Sequence, residues 1–157
     1  MKYCIAILDN LRSVENTGSI FRTAECLGVS KIILIGTTPT PLDRFNRKRK
    51  DFTKISLGAE EMIEWEYSKE ISPVILKLKN EGFKIIALEQ DQKAIKINDF
   101  NAGDLEKFAL IVGNEVNGVS FEALKLSDSV LEIPMQGKKE SLNVSVSTGI
   151  AVYKLIQ

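Results

Sequence analysis

The sequence predicts an α/β fold, a mostly parallel sheet with helices on both faces. Continuous apolar runs (KYCIAIL, KIILI, KIIAL, FALIV) recur along the chain. Strands buried on both faces read this way, whereas strands wetted on one face alternate. Between the runs lie stretches with apolar residues at helical spacing, the pattern of helical crossovers joining parallel strands. At 157 residues the chain has the length of one domain, so residues 1–157 are expected to share one core.

The elements follow in order. Residues 2–8 read as a first strand, short and apolar. A polar connection leads to a helix over 16–28, with Ile20, Ala24 and Leu27 on one face; Asn16 and Thr17 are its candidate caps and Gly28 suits its end. Residues 31–35 form a second buried strand, followed by a loop with Pro39 and Pro41. The clearest helix covers 73–81. Ser72 is placed to cap it, Pro73 sits where a missing N–H is harmless, and Ile71, Val74, Ile75 and Leu78 repeat at helical spacing. Strands are predicted over 84–88, 108–112 and 130–133, with a helix between the last two. A final helix covers 142–156, with Ser141 as cap. Leu142, Val146, Ile150 and Tyr153 form one stripe along it, and Val144, Ala151, Val152 and Leu155 lie elsewhere around it. A helix apolar all round is buried all round, and in so small a chain a subunit interface would cover the second side. In such a sheet ligands bind at the carboxyl ends of the strands, so the loops after Leu88, Val112 and Ile133 are expected to meet.

Composition narrows the chemistry. With no histidine, Ser-His-Asp and Cys-His catalysis within one chain are excluded. Two cysteines, Cys4 and Cys26, make no zinc site unaided, and no metal is expected. No apolar run approaches the roughly 18 residues of a membrane span. The opening MKYCIAILDN turns acidic too soon for a signal peptide, so the cytoplasm is the expected location. Net charge is zero, yet residues 43–54 (DRFNRKRKDFTK) hold six basic and two acidic residues, leaving the remainder at −4. A concentrated basic patch on an acidic body steers a polyanion to one face; a solvated loop has the same composition.

Three loops carry candidate chemistry. Residues 14–28 (VENTGSIFRTAECLG) place Asn16 and Arg22 near a helix start. Residues 112–120 (VGNEVNGVS) follow a buried strand and put Glu115 in a tight turn between Gly113 and Gly118. That glycine spacing resembles a phosphate-binding loop, but Val-Ser stands where Lys-Ser/Thr is needed, and no G-x-G-x-x-G occurs. Residues 131–149 (LEIPMQGKKESLNVSVSTG) run from a strand through a polar loop into the last helix. Asn143, Ser145 and Ser147 there are costly unless paired.

NTGSIFRTAECLG, IVGNEVNGVS and IPMQGKKESLNVSVSTG resemble, in order and across nearly the whole chain, the three signature motifs of the SpoU family of RNA ribose methyltransferases. Residues 43–67 are similar to a segment many members carry between the first two motifs. The resemblance implies a C-terminal part threaded as a deep trefoil knot, and a homodimer with composite sites at the interface. It implies S-adenosylmethionine as cofactor, bound around Leu88, Glu89, Gly113, Ile133, Met135, Ser141 and Leu142. Arg22 matches the family's catalytic arginine, and Asn16, Glu115, Ser141 and Asn143 its other polar motif residues.

The implied reaction is attack of an RNA ribose 2′-hydroxyl on a sulfonium methyl, which needs alignment more than acid–base power. A free Arg22 is a poor base, so it is expected to clamp an RNA phosphate, and either that phosphate or Arg22 perturbed by the bound RNA receives the proton. Arg44, Arg47, Lys48, Arg49, Lys50 and Lys54, with Lys138 and Lys139, are the expected phosphate contacts. The chain resembles the bare catalytic domain, without an appended RNA-binding domain, which favours tRNA over rRNA. A catalytically silent RNA-binding protein of the same fold is the alternative.

Overall fold

The computed structural model describes residues 1–157. Its strands are β1 (Tyr3–Asp9), β2 (Lys31–Ile35), β3 (Glu64–Ser68), β4 (Lys84–Leu88), β5 (Ile95–Lys96), β6 (Lys107–Gly113) and β7 (Ser129–Glu132). Its helices are α1 (Val14–Cys26), α2 (Lys50–Ser56), α3 (Ile71–Asn80), α4 (Phe121–Leu126) and α5 (Val144–Ile156). The strands form one sheet in the order β3-β2-β1-β6-β4-β7-β5, and every pairing in it is parallel.

Both faces are covered, as the continuous apolar runs require. Along β1, Cys4, Ala6 and Leu8 point to one face, where Ile20, Phe21 and Ala24 of α1, Phe52 of α2 and Ala151, Val152 and Leu155 of α5 close over them. Ile5 and Ile7 point to the other, under Ile71, Ile75 and Leu78 of α3 and Ala123 of α4. Each large side chain so buried contributes about 1.5–3 kcal/mol. The Phe21 and Phe52 rings meet edge to face at 5.1 Å and tie α2 to α1. Burial also pushes the Cys4 thiol up to about 12, which leaves it a small apolar core residue.

The ends of three helices differ from expectation. α1 starts at Val14, and Ser13 caps it by accepting from the Asn16 N–H at 3.0 Å; Asn16, inside the first turn, has its side chain free for other work. Gly28 follows the C-terminal end at φ +77°, the left-handed conformation expected there. α3 starts at Ile71 after Glu70, with no side-chain cap. Pro73 stays in the first turn, where N–H groups lack helical partners anyway, so its signal marks the turn and not the first residue. α5 starts at Val144, and Asn143, not Ser141, is its cap: Asn143 Oδ1 accepts from the Ser145 and Val146 N–H groups.

Three elements were silent in the sequence. β3 (EWEYS) is an edge strand with polar alternation, paired to β2 and braced by Lys31 between Glu64 (3.0 Å) and Glu66 (2.7 Å). α2 buries only Phe52 and Ser56, too little for a stripe. β5 has two residues. No helix is long and apolar enough to cross a membrane.

Candidate active site

The carboxyl ends of β6, β4 and β7 lie side by side, and the loops leaving them enclose a cleft of about 440 Å³. Leu88 and Glu89 reach it from β4, and Gly113 from the last position of β6. Ile133 and Met135 reach it from the segment after β7, and Ser141 and Leu142 from the approach to α5. The seven residues implied for a cofactor thus surround one space. Asn16, Glu115 and Asn143 line it too.

A chain of hydrogen bonds fastens the three motif loops together. The Glu115 carboxylate accepts from the N–H groups of Arg12 (3.1 Å) and Ser13 (3.1 Å), ahead of α1. It also accepts from the Asn16 side chain at 3.2 Å. Asn16 Oδ1 in turn accepts from Asn143 Nδ2 at 3.0 Å. Asn143 spends its own oxygen on the first turn of α5. Partial burial would raise the Glu115 pKa, but the hydrogen bonds from its own backbone, Asn16, Ser13 and Arg12 outweigh this and hold it below the usual glutamate value. Glu115 is therefore an anionic clamp, with both oxygens engaged, and no proton carrier at neutral pH.

Gly113 is fixed by contact. A Cβ there would stand 2.1 Å from the backbone of Gly118 and Val119. The turn it supports is closed by Asn114 and Gly118, which exchange both backbone bonds at 3.0 and 2.9 Å. Glu89 braces the same turn, its Oε2 accepting from the Val119 N–H at 2.8 Å.

Arg22 stands elsewhere. Its side chain is exposed on α1 and lines a second groove, of about 840 Å³, against Ile150 and Tyr153 of α5. Within one chain it is not among the residues of the cleft. Of the basic stretch, Arg47 pairs with Asp43 (2.9 Å), Lys48 with Glu61 (2.8 Å) and Arg49 with Asp51 (2.8 Å). Arg44, Lys50, Lys54, Lys138 and Lys139 are exposed and take no acidic partner.

Sequence reasoning gave no site role to Gln90, Val144 and Ser147, which also line the cleft. Ser147 sits one turn after Asn143, a spacing that was visible. It also passed over Asp9, a buried carboxylate at the end of β1 that holds the Ser120 N–H at 2.8 Å. An acid closing an apolar strand was the available signal.

Comparison with known proteins agrees with this layout. The model of the SpoU rRNA methylase family matches residues 3–153. A protein of Borreliella burgdorferi named as an uncharacterised tRNA/rRNA methyltransferase is 36% identical over 154 residues, 96% of this chain and 62% of that one. The tRNA (guanosine(18)-2′-O)-methyltransferase of Aquifex aeolicus is 32% identical over 157 residues, 98% of this chain and 68% of that one. The fold is also that of the SpoU methyltransferase AviRb from Streptomyces viridochromogenes, solved in complex with AdoMet. It superposes with a TM-score of 0.85 at 20% identity, over 99% of this chain and 60% of that one. This chain spans between half and about two thirds of the length of the relatives it matches. With all three signature loops gathered at the carboxyl end of one sheet and the family model matched from β1 into α5, the chain belongs to the SpoU rRNA methylase family.

Proposed function

We propose that this chain is an RNA methyltransferase that moves the methyl group of S-adenosylmethionine to a ribose 2′-hydroxyl, with tRNA ahead of rRNA as substrate, in the cytoplasm. The observation that carries the reading is the Glu115–Asn16–Asn143 chain, which draws three motif loops around one cleft. The names of the Borreliella and Aquifex relatives support it, as does the AdoMet complex of AviRb.

The cleft suits a nucleoside joined to a charged amino acid. Leu88, Ile133, Leu142 and Val144 offer apolar walls to a base, while Gln90, Ser141 and Asn143 offer polar groups. When bound, S-adenosylmethionine supplies an electrophilic sulfonium methyl. The protein's part is to align that methyl with the ribose, which lowers a barrier by up to roughly 7–11 kcal/mol in well-oriented systems. Glu115 and Asn16 keep the loops in register, and Gly113 lets backbone approach closely. Arg22 grips an RNA phosphate by paired hydrogen bonds, and that phosphate or Arg22 perturbed by the bound RNA takes the hydroxyl proton.

Arg22 reaches the reacting atoms from a second subunit. The exposed stripe of Val146, Ile150 and Tyr153 on α5, flanked by the Arg22 groove, supports a homodimer with composite sites. We also infer that the C-terminal part is threaded as a trefoil knot. β7 lies between β4 and β5, strands that only residues 89–94 connect, so the later strand fills a gap that an earlier loop already spans.

The test uses purified protein, radiolabelled S-adenosylmethionine, and tRNA and rRNA fractions from a strain lacking the gene. Label in tRNA at an alkali-resistant 2′-O-methyl site is the expected result. Label in rRNA alone reverses the substrate order. No transfer and no cofactor binding by calorimetry sinks the reading in favour of a silent RNA-binding protein. Arg22→Lys should lose nearly all turnover at unchanged S-adenosylmethionine affinity; near-normal turnover would remove Arg22 from the mechanism.

A further inference from the structure

A second hollow lies across the 114–118 turn from the cofactor cleft. It has a volume of about 440 Å³, and Asn114 and Gly118 belong to the walls of both. One tight turn is thus the whole partition.

The floor of this hollow is fixed. Asp9 is 1% exposed; its carboxylate accepts from the Ser120 N–H at 2.8 Å and from Asn10 Nδ2 at 3.0 Å. Asn10 Oδ1 accepts from the Thr37 N–H at 3.1 Å, and the Asn10 carbonyl accepts from Asn114 Nδ2 at 2.7 Å. Asn10 is held at φ +56° by these contacts, a conformation that persists only where its surroundings over-determine it.

The rim is the opposite. Arg12, Asn117 and Phe121 are all exposed, Phe121 by 79%. No intramolecular hydrogen bond or ion pair engages the side chains of Arg12 and Asn117, and no aromatic or cationic group stacks on Phe121. Neither the backbone clamp at Glu115 nor the helix cap at Ser120 uses them. A preformed floor thus carries three unspent groups: a flat ring, a carboxamide and a guanidinium.

These three groups match one ligand class. An aromatic face stacks any base, a carboxamide presents donor and acceptor together to a base edge, and a guanidinium takes a phosphate by two parallel bonds. We propose that this hollow seats a nucleotide of the RNA next to the one methylated, its base on Phe121 and against Asn117, its phosphate on Arg12. The inference rests on the RNA methyltransferase reading and adds to it where the substrate strand runs: out of the cofactor cleft, over the 114–118 turn, toward the ends of β1 and β2.

Binding of tRNA from a strain lacking the gene, and turnover on it, should be measured for the wild-type protein and for Phe121→Ala, Phe121→Tyr and Arg12→Ala. Phe121→Ala should weaken tRNA binding and raise KM for tRNA about tenfold, at unchanged S-adenosylmethionine affinity. Phe121→Tyr should restore both, because the ring is what acts. Arg12→Ala should weaken binding and reduce the salt slope by about one. If the wild-type protein methylates tRNA and these variants keep its KM, the subsite falls and the enzyme reading stands. If no methyl is transferred but Phe121→Ala still weakens tRNA binding, the subsite stands and the enzyme reading falls. A shift in dimer dissociation on Phe121→Ala, with tRNA binding intact, would assign the ring to a subunit contact and overturn the proposal.

Discussion

Removing the charge of Glu115 should loosen three loops at once, because its two oxygens receive N–H groups from Arg12, Ser13 and Asn16. Glu115→Gln leaves one acceptor oxygen for those donors, and S-adenosylmethionine affinity should fall at least tenfold by calorimetry. The pH dependence has a definite sign. The folded-state pKa lies below the ordinary value of 4.5, so the stability Glu115 contributes is fully present above that value. It is lost as pH falls through the lowered one. The gap in thermal midpoint between wild type and Glu115→Gln should be constant near neutrality and narrow in acid; a gap unchanged at pH 3 would show the clamp is not ionic. Gly113→Ala tests a different constraint. Its Cβ would meet backbone at 2.1 Å, and overpacking against backbone that cannot yield costs about 3 kcal/mol. At this chain length that is roughly a 10 °C drop in thermal midpoint; a drop under 2 °C would mean the turn opens freely. Asn16, Glu115 and Asn143 were legible as polar residues in glycine-rich loops. Their mutual bonding was not, since nothing local links positions separated by 99 and 127 residues.

α5 shows how far one element can be read alone. Its apolar residues all round the axis imply burial on two sides, and the structure buries one, through Ala151, Val152 and Leu155. The other carries Val146 (50% exposed), Ile150 (42%) and Tyr153 (59%). Isolated exposed apolar residues are ordinary, but a contiguous stripe marks an interface. Ile150→Glu should therefore convert the protein to a monomer by light scattering and abolish turnover while leaving the monomer folded. A variant still dimeric would place the interface elsewhere. β3 and α2 mark the limit of such reading. An edge strand is wetted and needs no apolar run, and α2 is held by one ring, Phe52, against Phe21. Both owe their form to a neighbour distant in sequence. The expected caps of α1 and α5 lie two to four residues from the observed ones because several side chains in each loop have the right chemistry, and only tertiary contacts choose among them.

For the whole molecule, charge and topology set the terms. Eight basic residues were candidates for phosphate contact, and three of them, Arg47, Lys48 and Arg49, are neutralised by acids of the same chain. Five remain, and with Arg22 and Arg12 the proposed contacts number seven, so log K for RNA should fall with log salt at a slope of roughly −6 per subunit. A slope near −2 would detach the patch from RNA, and one near −9 would show the internal pairs open on binding. The fold class was legible because strands buried on both faces leave an unmistakable apolar record. The strand order was not, because it is decided by which loops can pass over which. That order sets when the cleft can close. The strand filling the space between β4 and β5 is synthesised after both, and Ser141, Leu142 and Asn143, which close the cleft, come later still. A growing chain on the ribosome can therefore build most of its sheet and still have no cofactor pocket. On the proposed reading, methyl transfer can begin only once the approach to α5 has closed the cleft.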